Sequence, residues 1–225
     1  MKLILASQSP RRRELLAMAR IPHQTATADC DEEILVRQLK DNKPDMTEAS
    51  LAEQLAAAKA RAVFPHHPHD LILAADTIVS LDGLIYGKPA NRDQARHMLH
   101  TLSGRTHRVD TGVALIASGS EELFSRTSLV TFRPLSDLTE ELIERYVETD
   151  LPLDKAGAYG IQELGGLLID RIDGDFFSVM GLPIAEVHAR IQAYGIKPCL
   201  DSDQLADATG DGNQARGELD HIDKT

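Results

Sequence analysis

The chain has 225 residues, with 24 Lys and Arg against 35 Asp and Glu, a formal net charge of −11, 42% hydrophobic residues and 4% aromatic ones. This is a globular composition, neither disordered nor fibrous, and a chain of this length buries about 70% of its unfolded surface on folding. The acidic balance opposes binding to nucleic acid or an anionic membrane surface, so an anionic ligand must be held by a local basic cluster.

Cys30 and Cys199 are far apart and show no metal-ligand spacing, which fits a reducing compartment and argues against structural zinc. The N-terminal apolar stretch is too short for a secretory h-region, and no segment reaches the ~20 apolar residues of a membrane span. The reading is a cytoplasmic protein.

In chain order, Lys2 to Ser7 predicts a short strand, and Ser9-Pro10 an N-cap with proline at the first helical position, followed by a helix burying Leu15, Leu16 and Met18. An irregular acidic stretch runs from Asp29 to Glu33. Ser50-Leu-Ala-Glu53 has the spacing of a capping box, predicting a helix to about Phe64 with Leu51, Leu55, Ala58 and Ala62 inward. After the loop Pro65-His-His-Pro-His69, Leu71 to Val79 predicts a strand and Asp82-Gly83 a hairpin turn. Asn91 caps a helix with Ala95, Met98, Leu99 and Leu102 on one face, ending at Ser103-Gly104. Val109 to Ala117 and Thr127 to Phe132 predict strands joined around Gly119, and Thr139 opens a helix burying Leu142, Ile143, Tyr146 and Val147. Residues 156–168 are glycine-dense, Asp173-Gly174 predicts a hairpin between two strands, and a last helix from Pro183 buries Ile184, Val187 and Ile191 before Gly195. Residues 200–225 carry a net of five negative charges and few large apolar groups, predicting a disordered tail beyond a domain of residues 1–199. The mixture of alternating elements and hairpins predicts an α/β fold with a mixed sheet and flanking helices.

Three residue groups carry chemistry. Arg11, Arg12 and Arg13 crowd the first turn of a helix, where the macrodipole already disfavours cations. An anion held by backbone N–H groups, the Ser9 hydroxyl and arginine forks would complete that turn, and a solvated basic turn paired with acids such as Glu14 is the alternative. Asp76 interrupts an apolar strand and shares a face with Ile72, Ala74 and Ile78, which forces a carboxylate into an apolar layer. Such a group needs a cation or metal and suits a general base, or else accepts backbone hydrogen bonds at a strand end. Lys59 borders the inward stripe of its helix, either reaching a cleft or snorkelling to water, and Lys88 lies in the turn Gly87-Lys-Pro89. Asp31, Glu32, Glu33 and Asp154 are further oxygen donors that could join Asp76 around a hard divalent ion. His66, His67 and His69 lack zinc-site spacing, and GxSxG and GxxxxGK[ST] are absent.

The segments Ser7-Gln-Ser-Pro-Arg-Arg12, Ala75-Asp-Thr77, Gly87-Lys-Pro89, Ser103-Gly-Arg-Thr-His107, Asp154-Lys-Ala-Gly-Ala-Tyr-Gly-Ile-Gln162 and Gly181-Leu-Pro183 together resemble the Maf-like nucleoside triphosphate pyrophosphatases across residues 3–195. The resemblance implies a mixed twisted sheet in two lobes around a nucleotide cleft, related to the inosine triphosphatase-like architecture. It implies hydrolysis of the α–β phosphoanhydride of a nucleoside triphosphate with Mg2+ or Mn2+, and it suggests a homodimer. Asp76 matches the proton acceptor, and Arg11, Thr77 and Gln162 match positions tied to substrate selection. Ser9, Arg12, Lys59 and Lys88 complete the expected substrate set, with Glu32 and Asp76 as metal ligands. The segment ending at Gln162 looks like the branch acting on dTTP and UTP. The alternatives are the branch acting on 7-methyl-GTP, and a nucleotide-binding regulator of cell division.

Overall fold

The computed structural model describes residues 1–27 and 32–200, the side chains of residues 32 and 33 excepted. Its elements are β1 (Leu3–Ala6), α1 (Pro10–Met18), β2 (Gln24–Ala26), α2 (Glu32–Asn42), α3 (Glu48–Val63), β3 (Leu71–Leu81), β4 (Leu84–Tyr86), α4 (Arg92–Leu102), β5 (Thr106–Ala117), β6 (Ser120–Phe132), α5 (Asp137–Glu148), β7 (Ile169–Asp173), α6 (Phe176–Met180) and α7 (Ile184–Ile191). Short 3₁₀ turns fill much of residues 151–168.

The strands form one mixed seven-stranded sheet in the order β2-β1-β3-β5-β6-β7, with β4 also on β3. β1 runs parallel to β2 and β3, while β3, β5, β6 and β7 pair antiparallel. One edge of β3 is paired with β5 from Ile72 to Ser80. The opposite edge is shared, with β1 covering Leu71 to Leu73 and β4 covering Val79 to Leu81. Asp76 and Thr77 fall in the gap between those two partners, where the sheet edge is open to a ligand.

The long strands carry two lobes. A strand of 12 residues spans roughly 40 Å, enough to support two separate cores. At one end Leu71, Leu73, Ala75, Val113 and Leu115 pack under α1, α6 and α7. At the other end Val79, Leu81, Val109 and Val130 pack with α4 and α5. The odd-numbered face of β3 runs through both, and the polar Thr77 stands at the seam. On the opposite face, α3 lies over Ile72, Ala74, Ala114 and Ile116. Its alanines let it approach closely, and Gly112 opposite Asp76 has no room for a side chain beneath Ala52 and Glu53.

Several local expectations change. The helix predicted from Ser50 begins at Glu48 with Thr47 as its cap, whose hydroxyl accepts from Ser50 N, so the Ser50–Glu53 spacing lies inside the helix. Its buried stripe centres on Ala52, Ala56, Lys59, Ala60 and Val63 rather than on Ala58 and Ala62. Met18 is 60% exposed because α1 ends at its position and only Leu15 and Leu16 reach the core. The stretch ending at Glu33 contains the start of α2, which packs Leu35, Val36 and Leu39 against α3. Ser136, not Thr139, caps α5, with Thr139 returning the capping-box bond. Asp173-Gly174 makes no hairpin, since Asp175 accepts from Phe177 N and starts α6 instead of a strand. The tail from residue 201 lies outside the described residues.

Candidate active site

The loop between β1 and α1, the middle of β3, the α3 face, the β4 turn and residues 154–162 surround one cleft of about 1160 Å³. Every residue expected to bind substrate lines it: Ser9, Arg11, Arg12, Lys59, Thr77, Lys88 and Gln162, together with Asp76. Arg13, the third arginine of the run, is exposed and outside the lining. Ser9 occupies the N-cap position of α1 but its hydroxyl caps no N–H, which leaves that first turn suited to an external anion.

Asp76 and Lys59 form the floor. Lys59 Nζ donates to Asp76 Oδ1 at 2.5 Å, with the residues 9% and 8% exposed. α3 supplies the ammonium because its small side chains bring it down onto β3, and alternation along β3 turns the carboxylate toward it. A buried ion pair of this kind offsets its own desolvation rather than adding stability, so its presence points to chemistry.

The second cluster orders Arg12. Its Nε donates to Gly181 O at 2.9 Å, and its terminal nitrogens reach Ser7 Oγ and Thr77 Oγ1, each at 3.3 Å. Gly181 adopts φ 124°, which turns that carbonyl toward the arginine. Thr111, fully buried, donates to Ser178 O at 2.7 Å and lies 2.9 Å from Thr77 Oγ1. Because Thr111's single proton is committed to Ser178, Thr77 donates to Thr111 and accepts from Arg12.

The third cluster sits on the segment after α5. Arg11 donates to Asp154 Oδ2 at 2.8 Å. Lys155, 4% exposed, donates to Asp154 Oδ1 and Leu151 O, both at 2.7 Å, and pairs with Glu163 Oε2 at 3.0 Å. Partial burial works against the charged form of Asp154, but hydrogen bonds from Lys155 and Arg11 outweigh it and hold its pKa below the ordinary value. Asp154 is thus paired with two cations, Arg11 and Lys155. Behind this wall Tyr146 accepts from Gly160 N at 3.1 Å, and burial pushes its phenol up to about 12 despite that N–H.

Among the described residues no three His, Cys, Asp or Glu side chains gather as a metal site. The side chains of Glu32 and Glu33, and all of Asp31, lie outside the described residues. Asp76 is an oxygen donor that fits a hard divalent ion, since magnesium is commonly held by one or two carboxylates plus substrate phosphates.

Sequence reasoning gave no role to Thr111, Lys155 or Glu163. Lys155 stood in a quoted motif, but only its burial beside two carboxylates reveals its work, and nothing local marked Thr111 or Glu163.

A buried carboxylate at a split sheet edge, set among arginines and lysines that line one cleft, suits a phosphate-bearing ligand. Comparison narrows this. The sequence model described as "Maf-like protein" matches residues 2–194. A Bacillus velezensis protein named "dTTP/UTP pyrophosphatase" is 47% identical over 196 residues, 87% of this chain and 98% of the relative. A Bacillus pumilus protein of the same name is 43% identical over 197 residues, 88% and 98% of the two chains. One from Symbiobacterium thermophilum, again so named, is 45% identical over 194 residues, 86% and 94% of the two. The chain belongs to the Maf-like family.

Proposed function

We propose that this protein is a nucleoside triphosphate pyrophosphatase that hydrolyses the α–β phosphoanhydride of dTTP and UTP, releasing the nucleoside monophosphate and pyrophosphate. The observation that carries the reading is the buried Asp76 on the floor of a cleft whose walls hold Arg11, Arg12, Lys59 and Lys88. A binding module for an anion would gain nothing from a carboxylate beside its ligand. The shared name of relatives at 43–47% identity supports the same substrates.

The residues divide the work by position. The first turn of α1, Ser9, Arg11 and Arg12 bind the triphosphate oxygens, with Arg12 held by Thr77, Ser7 and Gly181 so that its fork is pre-arranged. Lys88 adds charge from the β4 turn. Asp76 takes a proton from water as the water oxygen bonds to the α-phosphorus and the bond to the bridging oxygen breaks, with pyrophosphate leaving. Lys59 orients the carboxylate and neutralises it against the approaching phosphates. Mg2+ or Mn2+ is the cofactor we propose, held by Asp76 with Glu32 and the substrate, and it would neutralise phosphate charge when bound. Gln162 offers its side-chain amide to the pyrimidine edge.

The catalytic unit in this reading is residues 1–199 with residues 200–225 as an appended acidic tail, working in the cytoplasm as a homodimer, the assembly suggested by the family resemblance. Among the described residues no helix is long and apolar enough to cross a membrane, and the net charge of −11 opposes nucleic acid and anionic lipid.

The test is direct measurement of pyrophosphate and monophosphate from dTTP, UTP, CTP, dCTP, GTP, ATP and 7-methyl-GTP with either metal. Turnover concentrated on dTTP and UTP, and lost by at least about a hundredfold in Asp76→Asn while nucleotide affinity persists, is expected for a general base. Near-normal turnover of that variant refutes the role of Asp76. A preference for 7-methyl-GTP would overturn the substrate assignment.

A further inference from the structure

Arg11 and Gln162 stand at the two ends of one chain of charged contacts. From Arg11 it runs through Asp154 to Lys155 and on to Glu163, whose Oε1 accepts from Gln162 Nε2 at 3.3 Å. The Lys155 ammonium donates to Asp154 Oδ1 and Leu151 O and lies 3.0 Å from Glu163 Oε2 as an ion pair. The arrangement is crowded: a Cβ on Gly160 would lie 2.6 Å from Lys155 Cε and 3.2 Å from Glu163 Oε2, so a side chain there would press on the pair.

The two ends of a glutamine amide have nearly the same shape, and only their partners tell them apart. A carboxylate paired with an ammonium accepts and does not donate, so Glu163 admits the Nε2 end of Gln162 alone. Turning the amide over would set oxygen against oxygen. The other end, Gln162 Oε1, is buried and makes no hydrogen bond among the described residues. A buried acceptor left unpaired is costly, and a ligand that supplies a donor relieves that cost.

We propose that Glu163, tethered by Lys155, is a positioning residue that sets base selectivity by fixing which end of the Gln162 amide meets the base. With one N–H kept on Glu163, Gln162 presents its carbonyl oxygen. Uracil and thymine satisfy that oxygen with the N3–H donor, whereas the ring N3 of cytosine is an acceptor and opposes it. Because Oε1 is covered, the Gln162 side chain shifts when a base enters, and the bond to Glu163 carries the constraint through that shift. The inference rests on the pyrimidine reading of the cleft.

The experiment compares kcat and KM for UTP and CTP, by pyrophosphate release, in the wild type, Glu163→Ala and Glu163→Gln. One neutral hydrogen bond changes an equilibrium by roughly two- to tenfold, so Glu163→Ala should lower the UTP-to-CTP ratio of kcat/KM by about five- to tenfold, read chiefly in KM. Glu163→Gln keeps the volume and can either accept or donate, so it should move the ratio the same way by about threefold, and it serves if the alanine variant does not fold. A purely structural role would depress both substrates together and leave the ratio alone. A wild type that prefers UTP, with an unchanged ratio in the folded variants, overturns this inference and leaves the substrate reading standing. A wild type with no preference for UTP over CTP overturns both.

Discussion

Replacing Gly112 by alanine would set a methyl group against the backbone of α3. Gly112 lies opposite Asp76 on β5, directly beneath Ala52 and Glu53. An added Cβ would sit 2.5 Å from the Ala52 carbonyl oxygen and closer still to the Ala52 carbonyl carbon and the Glu53 nitrogen. Ordinary contact begins near 3.4 Å, and backbone cannot swing aside as a side chain can. The helix must therefore lift by about 0.9 Å or more, loosening the alanine face that packs on β3 and β5. Lys59 lies seven residues further along the same helix, about two turns. A comparable lift there draws its Nζ from 2.5 Å toward about 3.4 Å from Asp76 Oδ1, out of strong hydrogen-bonding range. Overpacking of this severity costs about 3 kcal/mol, and in a chain of this size that lowers Tm by about 6–12 °C. Calorimetry and pyrophosphate release, run together, should show both the lower Tm and reduced turnover. Gly119→Ala is the control. Gly119 has φ 78° with open space around it, so alanine there costs about 1 kcal/mol of left-handed strain and leaves turnover intact. A Gly112→Ala protein that melts with the wild type and turns over normally would refute the close-packing argument.

Arg11→Ala should raise KM for the triphosphate by about tenfold with a smaller effect on kcat, because it removes a charge-assisted phosphate contact. Unchanged KM and kcat would count against Arg11 as a phosphate ligand. His107, 1% exposed and 2.8 Å from Tyr159 Oη, has its pKa pushed by burial from 6.5 down to about 4. Between those values the unfolded chain binds the proton and the folded one does not, so stability falls as pH drops, by about 2 kcal/mol from pH 7 to pH 5. Urea melts at both pH values should show that loss in the wild type and a smaller one in His107→Phe, and equal losses would dismiss the effect.

Much of the local structure is legible because its causes are local. Pro10 behind Ser9, Asn91 before its amphipathic run, and Asp82-Gly83 between apolar stretches mark α1, α4 and the β3–β4 hairpin without reference to the rest of the chain. Asp173-Gly174 misleads for the complementary reason. A turn dipeptide indicates that the chain reverses but not which kind of element comes next, and here Asp175 captures Phe177 N and begins a helix. The shift of the α3 cap from Ser50 to Thr47 is similar, since two hydroxyls stood within reach of one helix start.

The site divides along the same line. Asp76 is conspicuous in sequence because period-two alternation places a carboxylate on an apolar face, and the arginines are conspicuous because they oppose a helix dipole. The motifs that carry the family resemblance are likewise a property of the chain alone. That β1 and β4 share one edge of β3 and leave Asp76 and Thr77 open between them depends on pairings between strands far apart in sequence. So does the descent of Lys59 onto Asp76, which needs the missing side chain of Gly112 on a third strand. Thr111, Lys155 and Glu163 acquire meaning only from their neighbours in space. Propensity, alternation and charge act over a few residues and could be read directly, whereas burial and hydrogen-bond partnership are properties of the packed chain, and it was packing that decided which polar groups had to answer one another.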